Sequence, residues 1–286
     1  MVWNGIIAGY LFLAGVGAGS FSFAAIAGWK DSQAVKLKAA GMIIGFLCVA
    51  IGTLMLVVDA KAGLLNPLRF IMLLTNFNSV MAWGTVILSV FLLVAFVEIV
   101  LLLKTKATPK WLDVVGMALA VCVAAYTGVL LSASPAYPLW NFPVLPVLFL
   151  ISATATGFAA CELAGYVLDR QALERVELAP WVAVALPAAE AIVVVVLLVL
   201  TGSAAGVSAE AGAATVTALV SGSYAVAFWL GFVALGLVVP LCVSVTALVK
   251  KWRANAALAA SWACILVGGF MLRYLVVMAA VPIVVY

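Results

Sequence analysis

The sequence predicts an all-α membrane protein: eight transmembrane helices in two four-helix halves, with both termini extracytoplasmic. Composition, the spacing of apolar runs and the placement of basic residues carry that prediction. Of 286 residues, 68% are hydrophobic and 8% charged, against roughly a quarter charged in soluble domains. No soluble core could hide so much apolar surface, so the solvent must be lipid. A spanning helix needs about 20 apolar residues. Eight runs qualify, at about 5–28, 39–59, 80–103, 112–132, 144–168, 180–201, 216–249 and 257–281. The seventh is long enough to include a tilted or interfacial part. Met1 to Asn4 lacks a basic leader and the first run is too long for a signal sequence, so it is expected to be a retained span.

The charges alternate with the linkers. Lys30, Lys36 and Lys38 follow the first run; Lys104, Lys106 and Lys110 follow the third. Arg170 and Arg175 follow the fifth, and Lys250, Lys251 and Arg253 the seventh. The remaining linkers hold only Lys61 and Arg69, and Arg273 lies inside the last run. Basic linkers stay in the cytoplasm, which places both termini and the Asp59–Gly84 segment outside. The net charge of +4 follows from this topology and says little about nucleic acid. The expected location is the cell membrane, as a multi-pass protein.

Asp59 to Gly84 reads as a polar seam between two spans. It holds Asp59, Lys61, Asn66-Pro67, Arg69, Asn76, Asn78 and Ser79, and is expected to form one wall of a pocket near one membrane surface. In the first run, Gly15 and Gly19 form a GxxxG pair around Gly17. Close helix packing is the favoured reading; room for a flat ligand is the other. A weak repeat lies at an offset of 137 residues: Trp3-Asn4 matches Trp140-Asn141, Phe12-Leu13 matches Phe149-Leu150, Phe21 matches Phe158, and Gly28 matches Gly165. It suggests one membrane domain over 1–286 with halves at about 1–132 and 140–286, although chance matching in so biased a composition competes.

Tyr126 stands 14 residues above the start of the fourth run, about 21 Å at 1.5 Å per residue. Tyr137 and Trp140 read as interfacial belt aromatics. Glu162 lies near the cytoplasmic end of the fifth run. Glu190 lies near mid-membrane, three residues after Pro187. Together the two acids are a candidate proton path from the cytoplasm; local pairing of each with a hydroxyl or carbonyl is the favoured reading. Glu98 and Asp113 read as interfacial groups reaching for water. Arg273 stands about 24 Å above the cytoplasmic end and needs a partner at that depth; Asp59 is the candidate.

Asn4, Asp59, Asn76, Ser79, Tyr126 and Arg273 thus fall at one level in the outer half. Apolar walls with a few hydrogen-bonding groups suit an amphiphile with a polar ring and a long tail, as a quinone has. Quinol oxidation releases two protons; Asp59 is placed to take one and Tyr126 to hydrogen-bond a ring oxygen. The chain has no histidine, so a bis-histidine haem cannot be built here, nor can a histidine proton relay. Cys48, Cys122, Cys161, Cys242 and Cys264 are scattered without CxxC spacing, against an iron–sulfur or zinc site. No metal is expected in this chain.

Several segments carry a family resemblance. YLFLAGVGAGSF, Asp59 followed by NPLRF, NSVMAWG, AYTGVLL with PLWN and LPVLF, and GGFMLRY together resemble the NrfD/PsrC family of polysulfide-reductase-like membrane subunits. The resemblance runs in order through nearly all the chain. It implies an eight-helix, haem-free anchor subunit of a respiratory oxidoreductase. Such a subunit exchanges electrons between menaquinone, or another quinone, and a ferredoxin-like, four-cluster iron–sulfur subunit. A molybdopterin catalytic subunit completes the complex on the extracytoplasmic side. It also implies that Tyr126, in AYTG, and Asp59, closing the second span, belong to the quinone site, with Asn4 as a candidate. A secondary transporter with a midmembrane carboxylate site is the alternative, compatible with parallel repeats, proline-broken spans and Glu190.

Overall fold

The structure is a computed structural model and describes residues 4–59, 79–176 and 180–284. Among these, eight helices are long and apolar enough to cross a membrane. They are α1 (Gly5–Lys30), α2 (Val35–Asp59), α3 (Val80–Thr105), α4 (Lys110–Ser132), α5 (Val144–Leu168), α7 (Pro180–Gly202), α9 (Ala227–Lys250) and α10 (Ala256–Met278). Two short helices, α6 (Arg170–Val176) and α8 (Ala209–Val220), sit in the linkers. The seventh apolar run, expected as one element over 216–249, divides. α8 ends at Val220, the Ser221–Ser223 segment breaks it, and the span begins at Ala227. Reading apolar runs misses this because the polar break at 221–223 is only three residues long.

α9 changes pitch along its length. Ala227–Val238 winds as a π-helix and Val239–Lys250 as an α-helix. Pro240 follows the junction and has no N–H to return to the turn before it. A β-carbon on Gly268 of α10 would lie 2.1 Å from the Gly236 α-carbon, so α9 and α10 touch backbone to backbone.

α1 and α5 form the enclosed centre. α1 packs against α2, α4, α5 and α10, and α5 also against α4, α7 and α10. The glycine run of α1 serves these contacts. A β-carbon on Gly19 would lie 2.1 Å from the Ala153 carbonyl oxygen, and one on Gly17 2.7 Å from the Gly45 carbonyl oxygen. Helix packing, not ligand space, uses the GxxxG pair: without side chains the backbones approach, and dispersion contacts replace the hydrophobic drive that lipid does not supply. Ser20 Oγ donates to the Gly157 carbonyl (3.3 Å) and Cys161 Sγ to the Ser20 carbonyl (3.2 Å), both across this seam.

Trp140 is not a belt aromatic. It is buried, donates its indole N–H to the Val276 carbonyl (2.8 Å), and lies 3.9 Å from the Tyr137 ring centre.

Candidate functional site

At the N-terminal end of α1, one asparagine does two jobs. Asn4 Oδ1 caps the helix by accepting from the N–H groups of Ile6 (2.8 Å) and Ile7 (3.3 Å). That fixes the amide's orientation, so Nδ2 faces outward and donates to Asp59 Oδ1 at 2.7 Å. Asp59 is the last residue of α2. Its second oxygen has no hydrogen-bond partner among the described residues. Ser79 is the N-cap residue of α3 with its side chain unused in the cap.

Five residues into α3, Gly84 meets Tyr126 of α4. Tyr126 is 5% exposed, and the missing glycine side chain leaves the room its phenol occupies. Tyr10, further along α1 from Asn4, is fully buried; its hydroxyl has no hydrogen-bond partner among the described residues and lies within electrostatic reach of Tyr126. Sequence reasoning did not single out Tyr10. A polar hydroxyl inside an otherwise apolar run was the available signal. The structure thus joins Asn4 to Asp59 and sets Tyr126 against Gly84 of α3, within electrostatic reach of Tyr10. Asn76, with Lys61, Asn66, Arg69 and Asn78, lies outside the described residues.

Arg273 belongs to a different group, and its expected pairing with Asp59 does not form. It is fully buried and donates to Ser152 Oγ (2.5 Å), the Gly269 carbonyl (3.1 Å) and the Phe149 carbonyl (3.5 Å). Its guanidinium lies 5.2 Å from the Phe149 ring centre. Glu190 of α7 completes the cluster, facing both the Ser152 hydroxyl and the Arg273 charge, with Oε1 unpartnered among the described residues. The physical reason is side-chain direction. A helical side chain reaches back toward the N-terminus of its helix, which carries the guanidinium inward from the rim toward Ser152, eight residues into α5. Counting rise along α10 gives the height of the α-carbon and misses this. The same cluster gives Glu190 a local partner.

At the opposite end, Glu98 and Asp113 are not interfacial groups reaching for water. Asp113 is 1% exposed and takes Lys38 Nζ on both oxygens (2.8 and 2.9 Å), Trp29 Nε1 (2.7 Å) and Thr108 Oγ1 (2.6 Å). Glu98 is fully buried, with both carboxyl oxygens unpartnered among the described residues; a β-carbon on Gly116 would lie 2.7 Å from one of them. The Asp113 clamp ties α1, α2, α4 and the linker before α4. The sequence hides it because Lys38 stands 75 residues from Asp113. Glu162 lines a cavity at this same end, apart from Glu190.

A multi-pass helical membrane protein with a hydrogen-bonded carboxylate at one rim and a charged cluster at its centre is the class these features define. The family model described as "Polysulphide reductase, NrfD" matches residues 1–285, and the chain belongs to that family. It is 32% identical to a polysulfide reductase subunit of Wolinella succinogenes over 86% of this chain and 83% of that protein. It is 31% identical to protein NrfD of Escherichia coli over 98% of this chain and 95% of that one. A protein NrfD homolog of Haemophilus influenzae is 33% identical over 57% of this chain and 59% of that protein.

Proposed function

We propose that this chain is the haem-free, quinone-reactive membrane anchor of a respiratory oxidoreductase complex. It binds menaquinol, or another quinol, near the outer membrane face, and the electrons leave to an iron–sulfur subunit. A molybdopterin catalytic subunit beyond it holds the terminal substrate. The observation that carries the reading is the Asn4–Asp59 pair, with the second aspartate oxygen unpartnered among the described residues. NrfD membership and relatives named as a polysulfide reductase subunit and NrfD support it, and weigh against the transporter alternative.

The residues present fit a quinol ring. The oxidation releases two electrons and two protons, so a side chain that accepts a proton aids it. Asp59 Oδ2 is positioned as that base. Asn4 Nδ2 holds Oδ1 and so fixes which oxygen faces the ring. Tyr126, its phenol seated in the space that Gly84 leaves, donates or accepts at a ring oxygen. Ser79, at the N-cap of α3, adds a hydroxyl to the polar rim in this reading, and Asn76 is proposed as a further quinone contact from its place in the sequence alone. Arg273, hydrogen-bonded at Ser152, has no part in it. The purified complex should contain quinone; Tyr126→Phe should slow quinol-linked turnover while dye reduction by the soluble subunits is intact. Unchanged quinol-linked turnover would remove Tyr126 from the site.

The two four-helix halves are proposed on the repeat. Ser20 and Gly157, equivalent under the 137-residue offset, touch at the α1–α5 seam, as paired copies do about a shared axis. A proton path through Glu162 and Glu190 is a second reading, favoured by two features: Glu162 lines a cavity at the basic end, and Glu190 keeps an unpartnered oxygen among the described residues.

A further inference from the structure

A cavity of about 770 Å³ lies at the basic end of the chain, bounded by α5, α6, α7, α9, α10 and the α9–α10 linker. Its volume is in the range of small-ligand sites. Neither Asp59 nor Tyr126 lines it. Its lining has two parts. Phe158, Leu248, Leu258 and Trp262 form an apolar wall, and Arg175, Lys251 and Arg253 bring three cations against Glu162 and Glu174.

The cations are incompletely used. Arg175 is held by Asp31 at 3.0 Å. Arg253 reaches Glu174 only at 3.9 Å, with its side chain 86% exposed. Lys251 has no hydrogen bond or ion pair among the described residues. It also closes α9 with a φ of 50°, a left-handed conformation uncommon outside glycine. Glu162 sits six residues inside the end of α5, about 9 Å deeper than the linker cations. Positive charge therefore stands at the linker, and apolar side chains stand below it along the helices.

We propose that this cavity binds the phosphodiester headgroup of an anionic phospholipid from the cytoplasmic leaflet. Lys251 and Arg253 meet the phosphate, and the upper acyl chain lies along Phe158, Leu248 and Leu258. Basic pockets between spans on the cytoplasmic side attract anionic lipid headgroups. A free phosphate would use the cations and leave the apolar wall wet, so the two-part lining favours the lipid.

The test is native mass spectrometry of the purified, delipidated full chain, with any subunits that co-purify. It is titrated separately with phosphatidylglycerol, phosphatidylcholine and inorganic phosphate. Phosphatidylglycerol should bind at least tenfold tighter than phosphatidylcholine. The Lys251→Gln/Arg253→Gln pair should lose about thirtyfold in that affinity, at roughly fivefold per cation. Both side chains are exposed, so the variant should keep the wild-type unfolding midpoint. Leu258→Gln, which alters only the wall, should weaken phosphatidylglycerol binding and leave any phosphate binding unchanged. Equal affinity for the two lipids, or an unaffected double variant, would overturn the proposal. So would displacement of phosphatidylglycerol by millimolar phosphate, which would make the ligand a solute anion.

Discussion

Gly84 of α3 and Tyr126 of α4 share one volume: a β-carbon on the glycine would lie 1.8 Å from the tyrosine Cζ and 2.0 Å from its hydroxyl oxygen. No real β-carbon tolerates such distances, so Gly84→Ala must move the phenol or part the helices. The expected result is a loss of quinol-linked turnover at least as large as that of Tyr126→Phe, with dye-linked turnover retained. The removed hydroxyl and the displaced ring should differ in stability. The phenylalanine variant should unfold at nearly the wild-type midpoint, and the alanine variant should be destabilised by about 1–3 kcal/mol, as overpacking is. Wild-type turnover in Gly84→Ala would show that the phenol position is immaterial.

Asn4 and Asp59 should separate cap from chemistry. Asp59→Asn keeps a polar group of the same size and removes the base, so quinol-linked turnover should fall by a factor of about 100 or more with little change in stability. Asn4→Ala removes the helix cap as well and should cost about 1 kcal/mol, alongside a smaller loss of turnover. Kinetics paired with thermal unfolding distinguishes the two. An Asp59→Asn variant at wild-type turnover would contradict the proposed base.

The central cluster should respond asymmetrically. Arg273→Gln removes the buried guanidinium's hydrogen bonds to Ser152 and to the Gly269 and Phe149 carbonyls and should destabilise by about 1–3 kcal/mol, read as lost yield in detergent. Glu190→Gln should keep the fold. If the acid also conducts protons, the number moved per pair of electrons should drop in vesicles; unchanged stoichiometry would end that reading.

Lys38 and Asp113 make a buried ion pair, with side chains 8% and 1% exposed. Removing one partner strands the other, so Asp113→Asn should cost about 3–5 kcal/mol. Replacing both, with Lys38→Met and Asp113→Leu, should recover a large part of that loss. A double variant as unstable as the single one would mean that Trp29 and Thr108, rather than the ion pair, supply the clamp's stability.

Asp31, in the α1–α2 linker, gives a pH signature. Its carboxyl is held below the usual range, first by the Gln33 backbone N–H (2.8 Å) and then by Arg175 (3.0 Å). A lowered folded pKa contributes stability that is complete above the unfolded value of about 3.9 and fades as pH falls through the lowered one. Asp31→Asn should therefore melt earlier than wild type at about pH 6, and the gap should close as pH falls below about 4. A gap that persists in stronger acid would assign the effect to something other than ionisation.

The spans were legible because lipid imposes a simple requirement: every backbone polar group must be satisfied within its own helix. A helix meeting that requirement shows itself as a long apolar run, and all but the seventh run start and stop within a few residues of the helices. The break between α8 and α9 escaped because the polar interruption at 221–223 is only three residues long and is flanked by apolar residues. Asp59 and Tyr126 were legible as polar groups in apolar surroundings. Tyr10 carried the same signal and was passed over; Gly84 carried none, since a glycine that makes room for a ring looks like any other glycine in a chain with 23 of them.

By itself, the sequence determined that the chain lives in lipid, which runs are long and apolar enough to cross it, and which rare polar residues need an explanation. Pairing was decided only by the tertiary structure: Asp59 went to Asn4, Arg273 to Ser152, and Asp113 to Lys38. Rise per residue is a property of one helix and can be counted along the chain. Which face of a helix meets which neighbour depends on how all eight pack, and a charge in a medium without water takes whichever partner that packing brings within reach.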